Sequence, residues 1–218
     1  MPIKNLHYCV YDYETTGLDT ATCQPLEIAA QIYNGYSLEP IEGATFNSMC
    51  RPTQDCIIDS KVYDITKINP KEVEAATPIE IVFPKFIEFV NKYNTGKSKW
   101  DAPIACGYNI VNYDNIITKN MLRKFGKKKE ETVMFNNLHH IDGMDIMYQW
   151  FHNNRDLQAY NMTAVCNFFG INASGAHRAL TDVKNTANII MRFLKLHREL
   201  SKIYVERFRN SFKKETSV

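Results

Sequence analysis

The sequence predicts an α/β fold, a mixed sheet flanked by helices. Strand-like runs crowd the first fifty residues, helical and strand-like segments alternate after them, and no linker interrupts the series. With 218 residues the chain slightly exceeds an ordinary domain and can bury a core without disulfide or metal staples.

Leu6 to Tyr11 is a β-rich run that stops at Asp12, followed by a turn at Thr16-Gly17-Leu18. Pro25 to Tyr33 and Ala44 to Cys50 read as the second and third strands. Thr77 to Tyr93 reads as a helix capped by Thr77, with Pro78 in its first turn and Ile79, Val82, Phe83, Phe86, Ile87 and Val90 on one apolar stripe. Thr95 to Asp101 is a polar loop, and Pro103 to Gly107 a short buried strand. Asp114 to Phe125 is helical and closes at Gly126. Ile141 to Met147 begins extended and enters a helix, and Thr163 to Phe169 is a short helix ended by Gly170. A long helix runs from Thr181 to about Arg207, with Val183, Ala187, Ile190, Met191 and Leu194 on one face.

Composition excludes several classes. Hydrophobic residues at 44% and charged residues at 23% are globular values. No apolar run reaches the roughly 20 residues of a membrane helix, and no apolar signal core follows Met1. The six cysteines form no Cys-x-x-Cys pair, so the expectation is reduced, mostly buried thiols in a cytoplasmic protein. The net charge of +2 divides into −7 over residues 1–90, +3 over 91–177 and +6 over 178–218. A cation centre beside a track for an anionic polymer would divide charge this way, as would a chance asymmetry of the solvated surface.

Three groups carry candidate chemistry. In Tyr11-Asp12-Tyr13-Glu14-Thr15-Thr16-Gly17-Leu18, strand alternation puts Asp12 and Glu14 on one face. Two carboxylates held close repel unless protonated or bridged, and Mg²⁺ or Mn²⁺ bridges them. Taken alone, the pair also fits a solvated strand end. In Gly107-Tyr108-Asn109-Ile110-Val111-Asn112-Tyr113-Asp114, a strand runs into a helix start where Asp114 is also an ordinary dipole partner. In Gly175-Ala176-His177-Arg178-Ala179-Leu180-Thr181-Asp182, a loop His precedes a helix whose first turns hold Asp182. Histidine suits proton abstraction from water near neutral pH.

Together the groups place four carboxylates and one His at strand ends and helix starts of three separate segments, the usual assembly of an α/β active site. The order Asp-x-Glu-Thr-x-Gly, Gly-Tyr-Asn-x-x-x-Tyr-Asp and His-x-x-x-x-Asp resembles the DEDDh, or DnaQ-like, 3′→5′ exonucleases, which have a ribonuclease H-like five-stranded sheet. Within that family the nearest resemblance is to the exonuclease domain of bacterial exonuclease I, carried also by Ile65-Thr66-Lys67-Ile68-Asn69-Pro70 and Asp142-Gly143-Met144-Asp145-Ile146-Met147. It spans roughly Leu6 to Leu194, within a domain set at residues 1–200, with 201–218 a basic helix end and tail.

The resemblance implies two divalent cations, Mg²⁺ or Mn²⁺, about 3.5–4 Å apart. Asp12, Glu14 and Asp182 would ligate them directly, with Asp114 at the second ion and His177 as general base. Thr15, Thr16 and Leu18 would bind the 3′-terminal nucleotide, with Ile68 and Asn109 as further contacts. The implied activity is release of 5′-nucleoside monophosphates from single-stranded DNA. An RNA or short-oligonucleotide exonuclease is the nearest alternative, and a non-catalytic nucleic-acid-binding or polymerase-accessory module the more distant one. Lys67 and Asn69 depart from the Gly and Thr of the exonuclease I pattern. The chain stops at Val218, without the further domains by which exonuclease I embraces its substrate, so the resemblance does not carry high processivity over. Asp142 and Asp145 read as helix-start residues, Lys127-Lys128-Lys129 as a solvated loop that could also meet phosphate, and His139-His140 as structural.

Overall fold

Residues 6–126, 134–172 and 178–214 are described by a computed structural model. Lys127 to Lys129 and His177 lie outside them.

The sheet is built from β1 (Tyr8–Thr15), β2 (Pro25–Tyr33), β3 (Pro40–Met49), β4 (Ile104–Gly107) and β5 (His140–Asp142), in the order β3-β2-β1-β4-β5. β3, β2 and β1 are antiparallel neighbours, whereas β1, β4 and β5 run parallel. The helices are α1 (Ser60–Thr66), α2 (Pro70–Ala75), α3 (Ile79–Asn91), α4 (Asp114–Phe125), α5 (Gly143–Phe151), α6 (Met162–Phe168) and α7 (Ala179–Lys214). Five strands flanked by helices are thus observed, as the sequence predicts.

The period of two along β1 decides what each face holds. Cys9, Tyr11 and Tyr13 face a core formed with Ile28, Ala30 and Ile32 of β2 and with Val82, Phe83, Phe86 and Ile117 of α3 and α4. Val10 faces the opposite side, where Ala179, Val183, Ala187, Ile190 and Met191 of α7 cover Ala29 and Cys106. The predicted apolar stripes of α3 and α7 are the buried ones. The hydroxyls of Tyr11 and Tyr13 do not waste their polarity in the core. Tyr11 donates to Asn115 Oδ1 at 2.7 Å and Tyr13 shares a 2.8 Å hydrogen bond with Thr118 Oγ1. Both partners belong to α4, so this helix is tied to β1 next to its first residue, Asp114.

Several predicted boundaries change. β1 does not stop at Asp12 but continues through Glu14 to Thr15, because β2 pairs with it that far, Glu14 opposite Glu27 and Thr15 opposite Pro25. Thr77 does not cap α3. Pro78 is the N-cap, and the Thr77 carbonyl instead accepts the Arg51 amide at 2.9 Å. α1 and α2 lie where the sequence showed no periodicity, each shorter than two full turns and each opened by a side-chain cap, Asp59 and Asn69. α7 extends past Arg207 to Lys214. Lys67, the residue that departs from Gly in the exonuclease I pattern, adopts a left-handed φ of 58° at the end of α1, a conformation that glycine enters without strain. All six cysteines are free and all but Cys56 are buried, as expected. Among the described residues no helix is long and apolar enough to cross a membrane.

Gly107 ends β4 where two elements approach. A Cβ there would lie 1.9 Å from Ile110 Cγ2 and 3.1 Å from the Tyr11 carbonyl oxygen. Gly107→Ala is therefore expected to cost about 1–3 kcal/mol of unfolding free energy in urea titrations, the usual penalty for overpacking. A variant as stable as wild type would contradict the close approach.

Candidate active site

β1 outlasts its parallel neighbour. Its pairing with β4 covers only Tyr8, Cys9 and Val10, and Tyr11 lies beside Gly107, so Asp12 to Thr15 project past the end of β4. Asp12 and Glu14 stand on that projection, on the face that α7 covers, and α7 brings Asp182 to them. One ligand oxygen from each of Asp12, Glu14 and Asp182 lies within 4.8 Å of the others, the separation at which one ion can touch all three. Asp114 joins from the start of α4. It is buried, and its Oδ1 has no hydrogen-bond partner within the protein. Four of the five residues expected to carry the chemistry thus converge at the end of β1. The fifth, His177, lies outside the described residues.

The cluster is electrostatically expensive without a counter-charge. Burial raises the Asp12 carboxyl well above the ordinary range, and Asp114, Glu14, Asp182 and Glu27 push it further. Glu14 is pushed up to about 8 by burial, then by Asp182, Glu27 and Asp114, with Arg178 pulling against them. Asp114 is raised to about 7, chiefly by burial, against hydrogen bonds from its own amide and that of Tyr13. Clustered carboxylates, with one Asp114 oxygen lacking a donor, fit hard divalent cations, which take several oxygens and neutralise the repulsion. The residues present therefore suit a divalent cation.

The second motif leads from β4 to Asp114 and is held by β5. Asp142, at the end of β5, accepts the Asn109 amide at 2.7 Å and the Val111 amide at 3.1 Å, besides capping α5 through Met144. Its expected capping role is present, and it also holds the loop that leads to Asp114. Asn109 has a left-handed φ of 61°, which asparagine tolerates better than most residues, and its Oδ1 accepts Asn112 Nδ2 at 3.2 Å. Of the expected nucleotide contacts, Leu18 is 88% exposed on the turn after β1. Thr15 and Thr16 are buried, with hydroxyls already engaged. Thr15 Oγ1 donates to the Gly17 carbonyl, and Thr16 Oγ1 accepts the Gln24 amide while its own amide donates to the Gln24 carbonyl. They shape the turn. Ile68 is corrected: at 2% exposure its side chain fills a small core with Leu26, Val62 and Val73, because α1 and α2 fold over β2 there.

Three participants escaped the sequence reading. Tyr113 donates to the Gly17 carbonyl at 2.7 Å and shares a hydrogen bond with Thr15, joining the turn to the head of α4. Glu27 and Arg178 form an ion pair with Nε–Oε2 at 3.0 Å. Glu27 had a legible signal, as the lone charge in the apolar run Pro25-Leu26-Glu27-Ile28-Ala29-Ala30.

Comparison with known proteins agrees with this geometry. A family model described as RNase_T, exonuclease, matches residues 9–190. The PolC-type DNA polymerase III of Caldanaerobacter subterraneus subsp. tengcongensis is 28% identical over 194 residues, covering 88% of this chain and 12% of the polymerase. Exodeoxyribonuclease I of Escherichia coli is 27% identical over 192 residues, covering 82% of this chain and 38% of the enzyme. Among solved structures, E. coli exonuclease I in complex with a dT13 oligonucleotide superposes with a TM-score of 0.72 at 20% identity, over 95% of this chain and 43% of that one. The zinc-bound form of the same enzyme with single-stranded DNA gives 0.72 at 22% identity, over 99% and 46%. The chain thus spans less than half the length of these relatives.

The raised carboxyls make stability depend on pH with a definite sign. Between the ordinary values near 4 and the folded values of about 8 for Glu14 and about 7 for Asp114, the folded state holds protons that the unfolded state has released. Stability of the cation-free protein therefore falls as pH rises through that window. Thermal melts from about pH 5 to 9 should show this loss in EDTA, a shallower loss in Glu14→Gln, and its relief by Mn²⁺. Stability that rises with pH to the same extent in wild type and Glu14→Gln would contradict the assignment.

Proposed function

The chain belongs to the RNase_T exonuclease family, and we propose that it removes 5′-nucleoside monophosphates stepwise from the 3′ end of single-stranded DNA. The observation that carries this reading is the convergence of Asp12, Glu14 and Asp182 within 4.8 Å, with Asp114 beside them, on the exonuclease fold. A pure binding module gains nothing from carboxylates massed where a phosphate must sit. The choice of DNA rests on the relatives, whose names are those of a DNA polymerase and an exodeoxyribonuclease.

Asp12, Glu14 and Asp182 would hold the cations, with Asp114 completing the set. When bound, two such ions lower the pKa of water and neutralise the charge that develops on the leaving 3′-oxygen. The protein's own residues do the rest. The turn after β1, fixed by Thr15, Thr16 and Tyr113, presents Leu18 as an apolar surface against which the terminal base packs. Asn109, in the loop held by Asp142, supplies a further contact. His177, immediately before Arg178, takes the proton from the attacking water and leaves the carboxylates free to stay ionised. A neutral imidazole suits this step near pH 7.

The test uses 5′-labelled single-stranded DNA and RNA with Mg²⁺, Mn²⁺ or EDTA. The expected result is a ladder shortening from the 3′ end with either cation, faster on DNA, absent in EDTA and abolished by Asp12→Ala. Absence of metal-dependent shortening of either polymer would overturn the proposal. His177→Ala should lower kcat by about 10²–10⁴-fold and leave KM little changed. An equal loss in substrate binding would argue against the general-base role.

A further inference from the structure

Glu27 takes no part in the cation cluster, although it stands directly across the β1–β2 ladder from Glu14. It is 2% exposed in an otherwise apolar stretch of β2, a costly place for a carboxylate unless it is fully paired. Both of its oxygens are engaged by the start of α7. Arg178 Nε reaches Oε2 at 3.0 Å, Arg178 Nη2 reaches Oε1 at 3.3 Å, and the Ala179 amide donates to Oε2 at 3.3 Å. A guanidinium fork on a carboxylate fixes direction as well as distance.

The gripped residue is also the one that launches the helix. The Arg178 carbonyl accepts the Thr181 amide at 2.8 Å and the Asp182 amide at 3.1 Å. Ala179, the next residue, is fully buried against Val10 and Cys106 of the sheet. A continuous chain of bonded contacts therefore runs from the start of β2 through Glu27 and Arg178 to the backbone of Asp182.

We propose that the Glu27–Arg178 pair is a positioning latch for the nuclease site: it docks the first turn of α7 on the sheet and sets the placement of Asp182. Both are positioning residues, acting through Asp182 and touching neither substrate nor cation. The inference rests on the exonuclease reading for the role of Asp182. A rival explanation treats Arg178 as a bare positive charge near Glu14. The two differ in sign. A bare charge competes with cations, so its removal tightens cation binding. A latch aligns a ligand, so its removal weakens cation binding.

The experiment compares the full-length wild type with Arg178→Gln, Arg178→Lys, Glu27→Gln and the Glu27→Gln/Arg178→Gln double variant. Mn²⁺ affinity is read by electron paramagnetic resonance, and kcat and KM on labelled single-stranded DNA. Arg178→Gln should weaken Mn²⁺ binding and lower kcat, each by about 10–100-fold, the usual effect of losing a partner that orients a ligand, with KM for DNA nearly unchanged. Arg178→Lys keeps the charge but not the fork and should recover only a minor part of either loss. The double variant should be no worse than the poorer single variant, since both break one contact. Arg178 is half-exposed, so its variants carry the test if Glu27→Gln fails to fold. Tighter Mn²⁺ binding in Arg178→Gln, full rescue by Arg178→Lys, or losses that multiply in the double variant would overturn the latch. If the wild type shortens no substrate, the exonuclease reading fails separately, and the Mn²⁺ affinities still decide whether the pair positions Asp182.

Discussion

The molecule is organised around four carboxylates crowded at the end of β1. Burial raises the cost of ionising Asp12, Glu14 and Asp114, and repulsion within the cluster, to which Asp182 contributes, adds to it. Such a cluster persists only where the backbone overdetermines it. β1 supplies two of the four by simple alternation, and the ladder with β2 prevents that pair from relaxing apart. Asp114 is fixed because the hydroxyls of Tyr11 and Tyr13, on the opposite face of the same strand, hydrogen-bond to α4 one and four residues further on. One strand therefore sets the acidic face directly and secures the third acid through its apolar face.

Asp182 depends on longer-range structure. It arrives on a helix whose chain is far from β1 in sequence and whose apolar stripe specifies contact with the sheet but not its axial position. A helix can slide along a flat apolar face at little cost. Polar contacts remove that freedom. Glu27–Arg178 fixes one end of α7. Further along the helix, Arg198 donates to the Tyr36 and Gly35 carbonyls, and Lys195 pairs with Glu39, both in or beside the β2–β3 turn. Exposed pairs such as Lys195–Glu39 contribute little to stability. Their value here lies in register. The acidic character of the first ninety residues is partly explained by this arrangement, since Glu27 and Glu39 meet cations contributed by the basic C-terminal helix.

The contrast between what the sequence disclosed and what it hid follows the range of the interactions involved. α3 and α7 were legible because their stripes repeat over many turns, and Asp12 with Glu14 because a period of two is local to one strand. α4 was bounded correctly at both ends by Asp114 and Gly126. α1 and α2 were missed because helices of seven and six residues are too short to show a period, and their caps at Asp59 and Asn69 look like ordinary loop residues. Ile68 was taken as a nucleotide contact from the resemblance of its motif, and without α1 and α2 nothing in the sequence indicated the local core over β2 that its side chain fills. The partner of the Thr16 hydroxyl was not legible, because Gln24, the residue before β2, reaches it only once β1 and β2 pair. The end of β1 was placed too early because an acidic residue resembles a strand terminator, although pairing with β2 continues beneath it.

Glu27 is the instructive omission. A lone carboxylate in an apolar strand violates local preference, and such violations mark positions where a distant partner must arrive. The partner could not be named from β2 alone, because several basic residues of the C-terminal segment were equally eligible by charge. Arg178 is singled out by geometry: the residue whose side chain reaches Glu27 also offers the carbonyl that starts α7. Arg178 thus acts first on a neighbouring acid and through it on the start of α7. In a site assembled from three separated segments, the binding of the last segment to the sheet is as specific a requirement as the identity of the acids it delivers.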